Sequence, residues 1–315
     1  MQDRFGREIQ YLRVSVTDRC NYRCVYCMPP EGVEKREHAQ ILTLEEIVEI
    51  VRAAVKLGIR KVRLTGGEPL VRRGLPWLCA ALAELPGVED LAMTTNGALL
   101  APVAKELREA GLRRVNISLD TLDPQKFARI TRGGRLEDVL AGIKAAEDCG
   151  LTPIKLNTVL LRGINDGEIP ALVELTRRWP VEVRLIEWMP VGGAGLKSSV
   201  YAPDKLVLEQ VPELESLNRQ EGVARLYRLP GALGTVGLIS ARSNHFCSTC
   251  DRLRLTADGK LKPCLHNLRE IQVRGLTGQA LERAILQAVR EKPARHPDLS
   301  QGSAECLRNM NEIGG

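Results

Sequence analysis

Residues 11–29, "YLRVSVTDRCNYRCVYCMP", hold the strand and the loop on which the reading of this chain turns. Arg13, Ser15 and Thr17 alternate with Val14 and Val16, the period of two that gives a strand one polar and one apolar face. Cys20, Cys24 and Cys27 follow at once. A closed zinc site takes four ligands, and no fourth ligand sits nearby in sequence. An iron–sulfur cluster held by three thiolates leaves one iron open to an exchangeable ligand.

The same alternation recurs downstream in "RKVRLTG", "DLAMTTN", "RRVNISLD", "PIKLNTVL" and "VEVRLIEWM". Arg63 and Thr65, then Asn116, Ser118 and Asp120, then Lys155 and Asn157 form polar sets, set against Val62, Leu64, Val115, Ile117, Leu119, Ile154 and Leu156. Helical patterns lie between these runs. In "LTLEEIVEIVRAAVKLG" the residues Leu44, Ile47, Val48, Val51 and Val55 make one stripe, Thr43 can cap the start and Gly58 ends it. Repeated βα units imply a parallel sheet with right-handed crossovers. Strands sandwiched between two helix layers read as continuous apolar runs. A polar face every second residue therefore predicts an α/β partial barrel of about six strands with a wet lumen. A polar face turned to solvent is the plainer alternative.

After "WMP" a Gly/Ser-rich link breaks the rhythm, and "ARLYRL", "TVGLIS" and the hairpin "LRLTADGKLKPCL" follow. Asp258-Gly259 is expected to supply the positive φ angles of its tight turn. The chain divides, on this reading, into residues 1–222, the partial barrel, and residues 223–315, a smaller α+β part over one mouth.

With 45 Lys and Arg against 39 Asp and Glu, the net charge of +6 suits an anionic ligand better than a nucleic-acid coat. At 3% aromatic residues there is little to stack on bases. No apolar run reaches membrane-spanning length and the first residues lack a signal-peptide core, so a cytoplasmic protein is expected, without nucleic acid or membrane as partner. In that reducing setting nine cysteines point to metal or cofactor ligation rather than disulfides. Cys79, Cys149 and Cys306 stand apart as small apolar residues.

CxxxCxxC followed by Met28-Pro29 and then by "TGGEP" (65–69) resembles the radical S-adenosylmethionine (SAM) enzymes. "FCSTCDRLRLTADGKLKPCL", with Cys247, Cys250 and Cys264, and the ending "RNMNEIGG" narrow this to a resemblance to the GTP 3′,8-cyclase family of molybdenum-cofactor synthesis, from about residue 6 to Gly315. The resemblance implies a radical SAM lyase with two [4Fe-4S] clusters, on Cys20, Cys24 and Cys27 and on Cys247, Cys250 and Cys264. It implies SAM contacts at Tyr26, Gly67, Ser118 and Met189, and GTP contacts at Arg13, Arg63, Thr94, Lys155, Arg252, Leu253 and Arg254. It gives Arg13, Arg252, Arg254, Gly314 and Gly315 catalytic roles, the last two on a tail threaded into the site. The implied outcome is removal of the ribose C3′ hydrogen by a 5′-deoxyadenosyl radical and attack of C3′ on guanine C8, giving 3′,8-cyclo-7,8-dihydro-GTP. An electron donor and the next enzyme of molybdopterin synthesis become partners, and a homodimer is compatible with the reading.

Several alternatives stand beside it. Cys247, Cys250, Cys264 and His266 also match a zinc ribbon, and the basic strand residues could pair structurally with Asp120 or Glu187. A peptide maturase with an auxiliary cluster or a zinc-dependent nucleic-acid-binding protein are the rival classes. A frayed terminus is the default for Gly314 and Gly315. Arg184 and Met189 lie an odd number of residues apart and cannot both face inward from a regular strand, which leaves Arg184 only a secondary substrate contact. Asp251 departs from the Asn usual in the family.

Overall fold

A computed structural model describes residues 1–34, 36–192, 196–297, 299 and 308–314. The six runs quoted above become β1 (Tyr11–Ser15), β2 (Lys61–Thr65), β3 (Asp90–Thr95), β4 (Arg114–Ser118), β5 (Lys155–Leu160) and β6 (Glu182–Glu187), adjacent in chain order and all parallel. Helices fill the crossovers, beginning with Leu44–Lys56. Its start is a reciprocal cap: the Thr43 hydroxyl accepts from the Glu46 amide at 3.1 Å and the Glu46 carboxylate accepts from the Thr43 amide at 2.7 Å. Gly58, at φ +115°, lets the chain turn away after the last turn.

The strand count corrects the sequence reading. β7 (Glu215–Glu221), β8 (Ala224–Arg228), β9 (Thr235–Ile239), β10 (Arg252–Leu255), β11 (Lys260–Lys262) and β12 (Ile271–Gln272) join the same sheet, giving among the described residues twelve strands in the order β12-β11-β10-β1-β2-β3-β4-β5-β6-β9-β8-β7. β10 runs parallel to β1 and β9 parallel to β6, so eight parallel strands are consecutive, finished at each edge by an antiparallel pair. The C-terminal part therefore extends both edges of the sheet instead of merely sitting over one mouth. The physical reason is that the outer backbone groups of β1 and β6 require partners. Residue 222 falls in the β7–β8 turn. In the β10–β11 turn only Gly259 has a positive φ, at +80°, and Asp258 does not.

The outward residues Val14, Val62, Leu64, Val115, Ile117 and Leu156 are all buried in the main core against the crossover helices. That leaves the polar set facing the concave side. Strand register aligns Arg254, Arg13 and Arg63 in one row, and Asn116, Lys155 and Glu182 in another. Among the described residues no helix is long and apolar enough to cross a membrane.

A chain ending at residue 222 would lose β9 and β10 and leave β1 and β6 as unpaired edges backed by apolar residues. It is expected to aggregate, or to unfold without a cooperative transition, when followed by size exclusion and circular dichroism beside the full chain. A soluble fragment with a sharp melt would contradict this account of the edges.

Candidate active site

A cavity of about 540 Å3 fills the concave side of the sheet. Into it the fold brings Arg13, Arg63, Thr94, Ser118 and Lys155 from the strands, Cys20, Cys24, Tyr26 and Cys27 from the loop after β1, and Gly67 and Met189. Cys247, Cys250, Cys264, Arg252 and Arg254 line it from the C-terminal part. Leu253 does not join them, because alternation along β10 turns its side chain into the core opposite Leu12. Arg184 and Met189 both line the cavity. The parity argument against Arg184 fails because β6 ends at Glu187, so Met189 is free of the strand period.

The first cysteine loop is fixed by its backbone. The Arg23 and Val25 amides donate to the carbonyls of Thr131 and Ile130 at 3.0 and 2.9 Å, and the Arg132 guanidinium donates to the carbonyls of Arg23 and Met28. "TGGEP" closes on this loop: the Gly67 and Glu68 amides donate to the carbonyls of Thr17 and Arg19, both at 2.8 Å. A Cβ on Gly67 would lie 2.3 Å from the Arg19 oxygen, so only glycine permits the approach. Burial raises the Cys20 thiol to about 11 and that of Cys27 to about 12. It also raises Glu68 to about 7 and Asp120 to about 6, although Glu68 accepts from the Thr95 hydroxyl and Asp120 from the Tyr26 hydroxyl at 2.6 Å.

The basic row is enclosed and crowded. Burial first, with neighbouring guanidiniums, pulls Arg13 and Arg63 down to about 9 and Arg254 to about 10. Tyr11 sits among them, with the Arg63 guanidinium 5.4 Å and that of Arg252 5.9 Å from its ring centre. Burial alone would raise the Tyr11 hydroxyl, but the surrounding guanidiniums hold it below its ordinary value. Lys155, 1% exposed, meets Glu182 at 3.0 Å and also Glu221. Asp120 and Glu187 are engaged elsewhere, Glu187 by the Tyr201 hydroxyl and by the amides of Asp204, Arg242 and Ser243.

Cys250 leads into β10 and Cys264 follows β11, so the second set lies at the opposite end of the β1–β10 pair from the first, a strand length of about 16 Å away. Arg7 donates to the Cys247 carbonyl at 2.7 Å. The buried Lys292 ammonium lies 3.4 Å from the Cys250 sulfur and donates to the carbonyls of Arg252 and Pro263. Although burial would raise it, Lys292 and Arg252 lower the Cys250 thiol. Among the described residues no three His, Cys, Asp or Glu side chains converge as one bound ion would require. Each cysteine set brings three thiolates to the cavity, the donor chemistry an iron–sulfur cluster takes.

The tail re-enters. Arg308 pairs with Asp258 at 2.9 Å and Glu270 at 2.6 Å, and the Met310 amide donates to the Cys27 carbonyl at 3.3 Å. Gly314 is buried, and its carbonyl accepts from Arg254. A Cβ there would lie 2.2 Å from the Thr65 hydroxyl. Gly315 and Cys306 lie outside the described residues. Sequence reasoning missed Tyr11, Glu221 and Lys292 in the wall. The strand period carried Tyr11, two residues before Arg13, whereas nothing local marks Lys292. Asp251, the departure from the family, also lines the cavity, 3.9 Å from Arg252.

A parallel βα sheet bearing a CxxxCxxC loop after its first strand is the form of the radical SAM superfamily, whose pattern matches residues 14–176, while that of "Molybdenum Cofactor Synthesis C" matches residues 181–298. The Streptococcus suis SuiB structure bound to S-adenosylmethionine aligns over 91% of this chain and 67% of its own at a TM-score of 0.67 and 16% identity, a likeness of fold. The GTP 3′,8-cyclase of Peptoclostridium acidaminophilum is 51% identical over 99% of this chain and 98% of its own, and that of Alkaliphilus oremlandii 46% identical over 100% of both. The chain belongs to the GTP 3′,8-cyclase family.

Because Glu68 titrates near 7 in the folded chain against 4.5 when unfolded, the folded state holds its proton more tightly. Its neutral form favours folding below about pH 4.5, and that contribution is lost as the pH rises to about 7. Glu68→Gln removes this dependence, so the melting temperature of the parent should fall relative to the variant's across that window. A constant difference would show that Glu68 titrates normally.

Proposed function

We propose that the chain is a radical SAM GTP 3′,8-cyclase of the cytoplasm, joining ribose C3′ to guanine C8 in a precursor of molybdopterin. The observation that carries this is a single cavity with three cysteines at each end of the β1–β10 pair and buried guanidiniums between them. Cys20, Cys24 and Cys27 would hold the [4Fe-4S] cluster that binds SAM, and Cys247, Cys250 and Cys264 a second. Bound together, the first cluster and SAM supply one-electron cleavage of SAM and so the radical that takes the C3′ hydrogen.

The chain's own residues do the rest by position. Tyr26, Gly67, Ser118 and Met189, which line the cavity together with the first cysteine set, would serve SAM. Arg13, Arg63, Lys155, Arg252 and Arg254 present charge-assisted donors to a triphosphate, with Thr94 beside them. Leu253 serves through its backbone alone, since its side chain is in the core. Arg254 also accepts the tail as a partner through Gly314, so tail and substrate are positioned by one guanidinium. Holding the nucleotide at both ends fixes which hydrogen meets the radical, and fixed geometry is what confers selectivity on so reactive a species. An outside one-electron donor and the next enzyme of the pathway complete the setting.

Anaerobically reconstituted protein, given SAM, GTP and a reductant, should form 5′-deoxyadenosine and the cyclised nucleotide. Cys24→Ser should abolish both. Joint substitution of Cys247, Cys250 and Cys264 by Ser should spare some 5′-deoxyadenosine but no cyclised product, with less iron bound. Unchanged iron in that protein would remove the second cluster from the reading. Deleting Gly314 and Gly315 should leave iron content intact and severely lower cyclisation, and an unaffected rate would return the tail to an ordinary chain end.

A further inference from the structure

Lys155 is held by two carboxylates of very different standing. Glu182 is its register partner on β6, buried beside it at 3.0 Å, and also binds Arg184 at 2.5 Å, so it is part of the sheet. Glu221 comes from outside. It ends β7, the edge strand, where only Leu217 is even partly covered, and its side chain is 52% exposed while its carboxylate reaches the Lys155 ammonium. The same oxygen lies 4.0 Å from the Arg184 guanidinium. With Glu182 and Glu221 both in place, the positive charges of Lys155 and Arg184 are balanced.

The segment that delivers Glu221 is irregular and exposed. The β7–β8 register is interrupted between Ser216 and Gln220, Asn218 takes a φ of +50°, and Gly222 takes +61° with no atom within 4 Å of where a Cβ would be. Glu221, Gly222 and Val223 nevertheless line the cavity. One carboxylate is therefore fixed by the fold, while the other is carried by an exposed hairpin tip with space around its glycine.

We propose that Glu221 is a stand-in for the anionic part of the substrate, holding Lys155 and Arg184 in the empty cavity and giving way to a phosphate oxygen when the nucleotide enters. This rests on reading the cavity as a nucleoside triphosphate site. Glu182 stays as the permanent partner of both cations. The hairpin tip swings out because the arriving phosphate repels both carboxylates, and the half-exposed Glu221 can return to water whereas the buried Glu182 cannot. The exchange makes occupation of the phosphate end conditional on negative charge: a ligand without phosphates leaves Glu221 in place and binds the same with or without it.

The test is binding, not turnover. Equilibrium dialysis of GTP and of guanosine against the cluster-loaded protein, without reductant, compares the parent with Glu221→Gln and Glu221→Ala at matched iron content and melting temperature. Both variants should bind GTP on the order of tenfold more tightly, with guanosine affinity unchanged. Inorganic triphosphate should compete with GTP more strongly in the variants than in the parent. Equal or weaker GTP binding by both variants, beside a parent that prefers GTP to guanosine, overturns the stand-in while sparing the triphosphate reading. A parent that binds GTP and guanosine alike overturns both.

Discussion

Arg254, Arg13 and Arg63 occupy adjacent strands in one row of the lumen, Arg254 and Arg63 buried and Arg13 half-buried. Like charges brought together away from water repel one another and lose hydration at the same time, so this row is a liability that the rest of the sheet must support. Support comes from Tyr11, whose ring lies beneath two of the neighbouring guanidiniums, and from the Gly314 carbonyl on Arg254. The cavity is thus set by its concentration of positive charge as much as by its shape.

The two halves of the chain meet in this row. β1 supplies Arg13 and Tyr11, β10 supplies Arg252 and Arg254, and their parallel pairing sets the cysteine loops at opposite ends. A parallel neighbour for β1 must run in the same direction, so the cysteine that precedes β10 cannot fall beside the cysteines that follow β1. The separation between the two sets is a property of strand direction. Arg7 and Lys292, from the two termini of the described fold, then brace the second set through carbonyls and a sulfur.

Much of this was legible in the sequence, and what was not has identifiable causes. Alternation at Arg13, Arg63, Asn116 and Lys155 fixed the lumen face because the strand period is local. The same period placed Leu253 in the core, where the family resemblance alone had grouped it with Arg252 and Arg254. Parity misjudged Arg184 against Met189 because periodicity ends where the strand ends, one residue before Trp188. The flanking strands β9 and β10 were visible as runs, yet their partners were not. Pairing between residues 11 and 252 leaves no trace in either segment. Glu221 carried no signal either, since an acidic residue beside a turn glycine is what any exposed hairpin shows.

The pairing of β1 with β10 also governs how the chain can be made. Tyr11 leaves the ribosome long before Arg252, its register partner, has been synthesised. At about 5 to 20 residues per second, the first strand waits roughly 10 to 50 s with one edge open. Throughout that interval a parallel, apolar-backed edge is available to any other nascent strand, and contacts so distant in sequence close slowly even once the chain is complete. The demand this fold makes on a cell is therefore one of timing: its yield depends on keeping the outer edge of β1 unpaired until the last quarter of the chain arrives.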